Sequence, residues 1–367
     1  MKAERHLIAF MFRRSVEERG GGAYNRYLFD LFKEVYGARV VNDDIPIITR
    51  AEQKSILWDT LKLSLTILRH RPRLCVFDIS NAVRSLVPFL LSRVFGSVLM
   101  VAQGVRIEFR YESSRAMRFV RWCENLMIKR SDIILANSEY MRNTLLSLGA
   151  KPESLVVVKP GVKKSVTEEF PKRLDSFSEL RILYAGATEL QKGTVYLIEA
   201  FRSLNDKRLH LDIVGVFDRE NDYCRNIQRL ISSDPNSENI AQHGFASRAE
   251  LDRLFREAAL FVIPSLGEGF GMAPIEAMSY GLPVVATRVG ELQHNIEDHV
   301  NGILVEPANS EQIADAIRLL LSDDDLYAEI SKNNIEKSRQ FYDFDGFKKS
   351  LKENLIPLVD RAINNRS

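Results

Sequence analysis

Residues 260–287 read LFVIPSLGEGFGMAPIEAMSYGLPVVAT. The apolar run 260–263 has the content of a buried strand, the glycine-studded stretch 264–276 reads as a loop, and 284–286 reads as the next strand. Pro274 suits the first position of the helix between them, because its missing N–H would find no partner there. Strand, crossover helix and strand in one stretch form the repeating unit of a parallel α/β sheet.

The same alternation extends in both directions. Strands are expected at 7–12, 39–41, 74–79, 98–102, 133–136 and 155–158, and again at 181–184, 209–214, 260–263, 284–286 and 302–305. Helices fall between them, as at 23–36, where Tyr27, Leu28, Leu31, Phe32 and Val35 make one apolar stripe. A length of 367 residues, 45% hydrophobic and 27% charged, suits two globular domains and excludes disordered, collagenous and coiled-coil chains. The polar segment around Pro171 has no apolar period, so the expected organisation is a first domain over 1–165, a linker over 166–179 and a second domain over 180–344. The tail 345–367 reads as an amphipathic helix able to cap either domain or to cross back onto the first.

Charge is unevenly shared. The net balance is +2, yet the first 164 residues carry 28 basic and 16 acidic side chains, a balance of +12, which leaves −10 for the rest. A cationic half favours anionic partners such as phosphorylated molecules or an anionic lipid surface. Its densest stretch, 106–130, is expected to hold a basic helix from about Ser114, with its aromatic residues packed on the core and its arginines in solvent or against lipid. Nucleic acid is not expected as a partner, since no known binding module or aromatic stacking platform is present. Cys75, Cys123 and Cys224 have neither disulfide nor metal-ligand spacing and fit a reducing compartment. The apolar run 7–12 is too short for a signal segment, and 86–102 is broken by Arg93 and Gly96, so a cytoplasmic protein is expected, at most peripheral to the inner membrane face.

Ligands of open α/β sheets collect in strand-to-helix loops. In 264–276, Gly267, Gly269 and Gly271 leave the backbone uncluttered, so that amides including those of Phe270 and Met272 can close on a phosphate. Glu268 and Glu276 flank these amides and would accept hydrogen bonds from sugar hydroxyls, which describes a nucleotide diphosphate sugar. Taken alone, Glu276 could simply complement a helix dipole and the glycines could simply build a turn. A second loop, AGATELQKG over 185–193, offers Lys192 to the same diphosphate. The six histidines show no ligand spacing, and His243 reads as a loop residue beside Gly244.

The string 265–287, with GATELQKG and NGILVEP at 301–307, is similar to the donor domain of the retaining glycosyltransferases of family 4, and weaker likeness runs through the first half. The resemblance implies a GT-B architecture, two Rossmann-like parallel-sheet domains facing across a cleft. It implies transfer of a hexose from a UDP- or GDP-sugar to a saccharide or lipid-linked acceptor with retained anomeric configuration, with no cofactor and no metal. By the same resemblance, Glu268 would bind the transferred sugar, Glu276 the ribose, and Gly269, Phe270, Gly271 and Met272 the diphosphate. Lys192 would face the phosphates beside Gly186, Gly244 would border the nucleobase, and Gly21, Gly22 and Gln103 would lie on the acceptor and diphosphate side. Ala187 and Gln103 stand where such enzymes commonly have an arginine and a histidine, and Gly290, Glu291 and Leu292 depart from their usual Gly-Gly-x-Pro-Glu. These departures keep open a second reading, a nucleotide-sugar-binding or scaffold protein of the same fold with impaired catalysis. A dinucleotide oxidoreductase is disfavoured because Gly20, Gly21 and Gly22 do not make G-x-G-x-x-G.

Overall fold

Alternating β-branched runs and amphipathic stripes fold into two α/β units in the computed structural model, which describes residues 8–10, 20–37, 40–41, 56–79, 82–102, 115–162, 172–218, 221–233 and 235–366. The chain divides into a first unit of 1–160 with 345–367, and a second unit of 161–344.

In the first unit, strands β1 (Ile8–Phe10), β2 (Val40–Val41), β3 (Leu74–Asp78), β4 (Val98–Ala102), β5 (Ile133–Ala136) and β6 (Leu155–Val157) form one parallel sheet in the order β2-β1-β3-β4-β5-β6. Its helices are Gly20–Tyr36, Ile56–His70, Ala82–Val94, Arg115–Arg130 and Glu139–Ser147. Burial of Leu74, Cys75, Val76 and Phe77 on both faces of β3 marks a strand covered on each side.

The tail forms the helix Phe344–Ser350, a π-helical turn Leu351–Leu355 and the helix Ile356–Asn364. Its buried stripe of Phe347, Leu351, Leu355, Val359 and Ile363 belongs to the first unit, where Tyr36 donates to Asp360 at 2.8 Å, Lys352 pairs with Glu34 at 2.7 Å and Arg366 with Asp132 at 2.7 Å.

In the second unit, β7 (Leu180–Ala185), β8 (Leu209–Val214), β9 (Ile240–Gly244), β10 (Leu260–Ile263), β11 (Val284–Thr287) and β12 (Ile303–Val305) are again all parallel, in the order β12-β11-β10-β7-β8-β9. Read from β9, this is the order of the doubly wound nucleotide-binding sheet, and its direction reverses between β7 and β10. Chains leaving those two strands diverge to opposite faces and open a crevice at the carboxyl edge.

Several boundaries differ from expectation. The helix expected from Ala23 begins at Gly20, which puts Gly21 and Gly22 in its first turn. The helix expected at Pro274 begins at Met272, because Gly271 takes the left-handed conformation (φ 81°) and turns the chain two residues earlier; Pro274 still falls in the first turn, where an N–H has no acceptor. Within the segment expected as a linker, Leu174 and Phe177 pack against the second core, and Lys172 donates its backbone N–H to Ser331 at 2.7 Å. Phe119 and Trp122, expected against the core, are exposed, since Cys123, Met127 and Ile128 fill the inward face of their helix. His243 lies in β9 and not in a loop.

All three cysteines are free and buried. Burial pushes the Cys75 thiol up to about 12, and Cys224 donates to the Thr188 carbonyl at 3.2 Å. The folded protein is therefore expected to resist an aromatic disulfide reagent at mildly alkaline pH and to release three thiols in denaturant; rapid labelling of any one in the native state would contradict this packing.

Candidate functional site

The loops that follow β7 and β10 meet at the reversal of the sheet. After β7 the chain passes Gly186, makes the short 3-10 turn Leu190–Lys192, and enters the helix Thr194–Leu204 through Gly193, which adopts φ 63°. A Cβ on Gly193 would lie 1.9 Å from the Pro264 carbonyl oxygen of the other loop, so only glycine lets the two backbones come this close. The Leu266 N–H closes the junction by donating to the Gln191 carbonyl at 2.8 Å.

Across this junction, Lys192 Nζ donates to Glu268 Oε2 at 2.6 Å, and Ser265 Oγ donates to the same oxygen at 3.3 Å. Both charged side chains are largely withdrawn from water, with 19% of Lys192 and 6% of Glu268 accessible. A desolvated pair of this kind adds little net stability, whereas either member alone would leave an uncompensated charge. Beyond Glu268, the backbone runs through Gly269, Phe270 and Gly271 into the helix Met272–Ser279, whose first N–H groups have no intrahelical acceptor. The Phe270 ring is buried against Tyr342, with centroids 6.2 Å apart, so Phe270 faces the core with its side chain and leaves its amide to the loop.

Neighbouring side chains fix this loop from below. Thr287, at the end of β11, donates to the Ser265 carbonyl at 2.5 Å, and Asn295 donates to the Phe270 carbonyl at 3.1 Å. Asn295 in turn accepts from the Tyr342 hydroxyl at 2.9 Å, and its carbonyl accepts from Asn301 at 3.2 Å. Leu292 covers Gly271 so closely that a Cβ there would lie 2.6 Å from its Cδ2.

Glu276, in the helix after the loop, is buried, and its Oε1 lies 3.5 Å from Arg248 Nη1. Arg248 opens the helix Arg248–Glu257 that follows β9, and its Nε also pairs with Asp252 at 2.8 Å, while Tyr280 donates to the same carboxylate at 2.6 Å. Burial works against the Arg248 cation, but the Glu276 and Asp252 carboxylates outweigh it and hold its pKa above the usual arginine value. The Arg248 guanidinium thus fixes the direction of the Glu276 carboxylate.

The remaining glycines extend the row along the carboxyl edge. Gly186 donates its N–H to the Val214 carbonyl at 2.9 Å, above the buried Tyr184, whose hydroxyl donates to the Ala187 carbonyl at 2.9 Å. Gly244 ends β9 at a bulge, with φ 63°, and accepts from the Gly215 N–H at 2.7 Å.

Superposition on solved structures gives a TM-score of 0.79 with sucrose-phosphate synthase from Thermosynechococcus elongatus, covering 99% of this chain and 100% of that one at 18% identity. Anabaena HepE in complex with UDP-glucose gives 0.74, over 94% and 98%, also at 18% identity. The fold is GT-B. Residues 166–337, nearly all of the second unit, match the family model described as glycosyl transferases group 1. A D-inositol 3-phosphate glycosyltransferase of Paenarthrobacter aurescens is 32% identical over 236 residues, 61% of this chain and 55% of its own length. An uncharacterized 41.2 kDa protein in the cps region of Klebsiella pneumoniae is 26% identical over 250 residues, 64% of this chain and 67% of its own. The chain spans about half the length of the D-inositol 3-phosphate glycosyltransferases it matches.

In this GT-B chain, then, Lys192, Glu268, Gly269, Phe270, Gly271, Met272 and Glu276 come together, and Gly186 and Gly244 lie along the same sheet edge. Gly21 and Gly22 belong to the other unit, and Gln103 lies outside the described residues. The two Asp-x-Asp triplets, 323–325 and 343–345, serve elsewhere: Asp323 caps a helix by accepting from the Leu326 N–H at 2.9 Å, and Asp345 pairs with Lys348 at 2.8 Å. Sequence reasoning missed Arg248, Thr287 and Asn295. Thr287 was legible as the polar end of an apolar strand, whereas no spacing rule links Arg248 to a glutamate in the next helix.

Removing Lys192 should destabilise chiefly through the charge left on Glu268. Lys192→Ala is expected to lower the melting temperature, and Lys192→Ala/Glu268→Gln to recover part of the loss; a double variant no more stable than the single would refute the pairing. Gly193→Ala should cost on the order of 2 kcal/mol or more in urea unfolding, from both its φ and the Pro264 clash.

Proposed function

We propose that the chain transfers a hexose from a nucleotide diphosphate sugar to a saccharide or lipid-linked acceptor with retention of configuration, as a family 4 type glycosyltransferase working in cell-envelope polysaccharide or glycolipid synthesis. The observation that carries this reading is the Lys192–Glu268 pair beside the amides of Gly269 to Met272, at the reversal between β7 and β10. An ammonium, a row of amides and two buried carboxylates match the groups of a diphosphate flanked by two hydroxylated rings.

In the proposed reaction, Glu276, directed by Arg248, accepts hydrogen bonds from the ribose, and the amides of the loop hold the diphosphate. Donor phosphates draw Lys192 from Glu268, which frees that carboxylate to accept from hydroxyls of the transferred sugar. The bond from the anomeric carbon to the diphosphate oxygen breaks with oxocarbenium character, and Lys192 and the amides stabilise the charge that develops on the leaving group. The acceptor oxygen bonds to the same face of the sugar, and its proton passes to a diphosphate oxygen. No protein nucleophile takes part, and the cationic role is given to Lys192 without a metal. A scaffold that has lost catalysis is not favoured, because Lys192 and Glu268 are both kept and paired.

The test is a screen of UDP-, GDP- and ADP-sugars by thermal shift and nucleotide release. Glu276→Ala is expected to weaken donor binding about tenfold or more and Lys192→Ala to reduce turnover by at least about a hundredfold. Donor binding and turnover unchanged in both variants would refute the assignment.

A further inference from the structure

Three helices of the first unit, Ile56–His70, Ala82–Val94 and Arg115–Arg130, pack side by side and are apolar on two opposite faces. In the first, Leu63 and Ile67 point into the core, while Leu57, Leu61, Leu65 and Leu68, on the opposite side, are exposed. In the second, Phe89 is buried, and Val87, Leu90 and Val94 are exposed, Val94 to 79%. In the third, Phe119 and Trp122 stack on each other at 5.9 Å and are both more than half exposed. An apolar surface continued over three adjacent helices exceeds the scattered exposure of an ordinary soluble face.

The charges on this layer decide its occupant. The three helices hold nine basic residues and only two acidic ones, Asp59 and Glu124, and both acids are buried. Asp59 is further neutralised by Arg84 at 3.2 Å. What remains at the surface is leucine, valine and aromatic area set among cations such as Arg69, Arg93, Arg115 and Arg118. A second copy docking through the same face would oppose like charges. An anionic bilayer answers both properties, because its acyl boundary takes the apolar side chains and its headgroups meet the cations.

We propose that this three-helix face is a docking surface for an anionic lipid bilayer, lying in the interface without crossing it. Among the described residues, no helix is long and apolar enough to span a membrane. The proposal stands apart from the reaction assigned above, because lipid binding needs no nucleotide sugar.

The chain provides its own reporter, since its two tryptophans, Trp58 and Trp122, both lie on this face. The full chain is mixed with vesicles of phosphatidylcholine alone or of equimolar phosphatidylcholine and phosphatidylglycerol, then sedimented at low and high salt. Binding to the phosphatidylglycerol vesicles with a blue shift of tryptophan emission is expected. Leu61→Ser/Leu65→Ser and Arg115→Glu/Arg118→Glu should each weaken that binding about tenfold, while Phe341→Ser, an exposed apolar position in the other unit, should leave it unchanged. Circular dichroism melts of each variant confirm that it is folded. Equal binding to both vesicles, an unshifted emission, or self-association that the same substitutions abolish would overturn the proposal; the last result would assign the face to a second copy.

Discussion

The Lys192–Glu268 ion pair joins two loops that leave neighbouring parallel strands toward opposite faces of the sheet. Holding opposite charges together with little access to water requires the loops to approach backbone to backbone, which is why a left-handed glycine sits at the contact with Pro264. The rest of the second unit follows from that demand. Thr287 and Asn295 tie the β10 loop down through its carbonyls, leaving its amides for whatever enters, and Arg248 fixes the second carboxylate from the side. The site is a polar seam in which Lys192, Glu268, Glu276 and Arg248 each have a defined partner, set against the apolar core of the second unit.

Much of this was readable in the sequence because the determining signals are local. Strand, glycine loop and helix lie within 260–287, and their chemistry is stated by residues a few positions apart. Eleven of the twelve described strands were legible for the same reason, as short apolar runs, whereas β9, reading IAQHG with Ala241 and Gln242 exposed, has no such run. Groups joined through space were not legible. Arg248 reaches Glu276 across two helices, and Asn295 reaches Phe270 across a strand, contacts that no periodicity encodes. The helix expected at Pro274 starts two residues earlier because a glycine in the left-handed region, and not the proline, sets the turn.

Aromatic residues gave the opposite lesson. Phe119 and Trp122 carry the signature of core residues, yet a helix has only one inward face, and smaller side chains occupy it. Hydrophobicity alone does not say which apolar stripe is inside when a helix has two. The leucines of Ile56–His70 pose the same ambiguity, which only the packing of the neighbouring helix resolves.

The first unit is discontinuous, being assembled from 1–160 and the tail helices. During synthesis, the second unit emerges complete before the segment carrying Leu351, Leu355 and Val359 has left the ribosome. The amino-terminal sheet must therefore wait with part of its apolar cover missing, although it is made first. Completion of the amino-terminal unit thus depends on residues translated after the whole of the second unit.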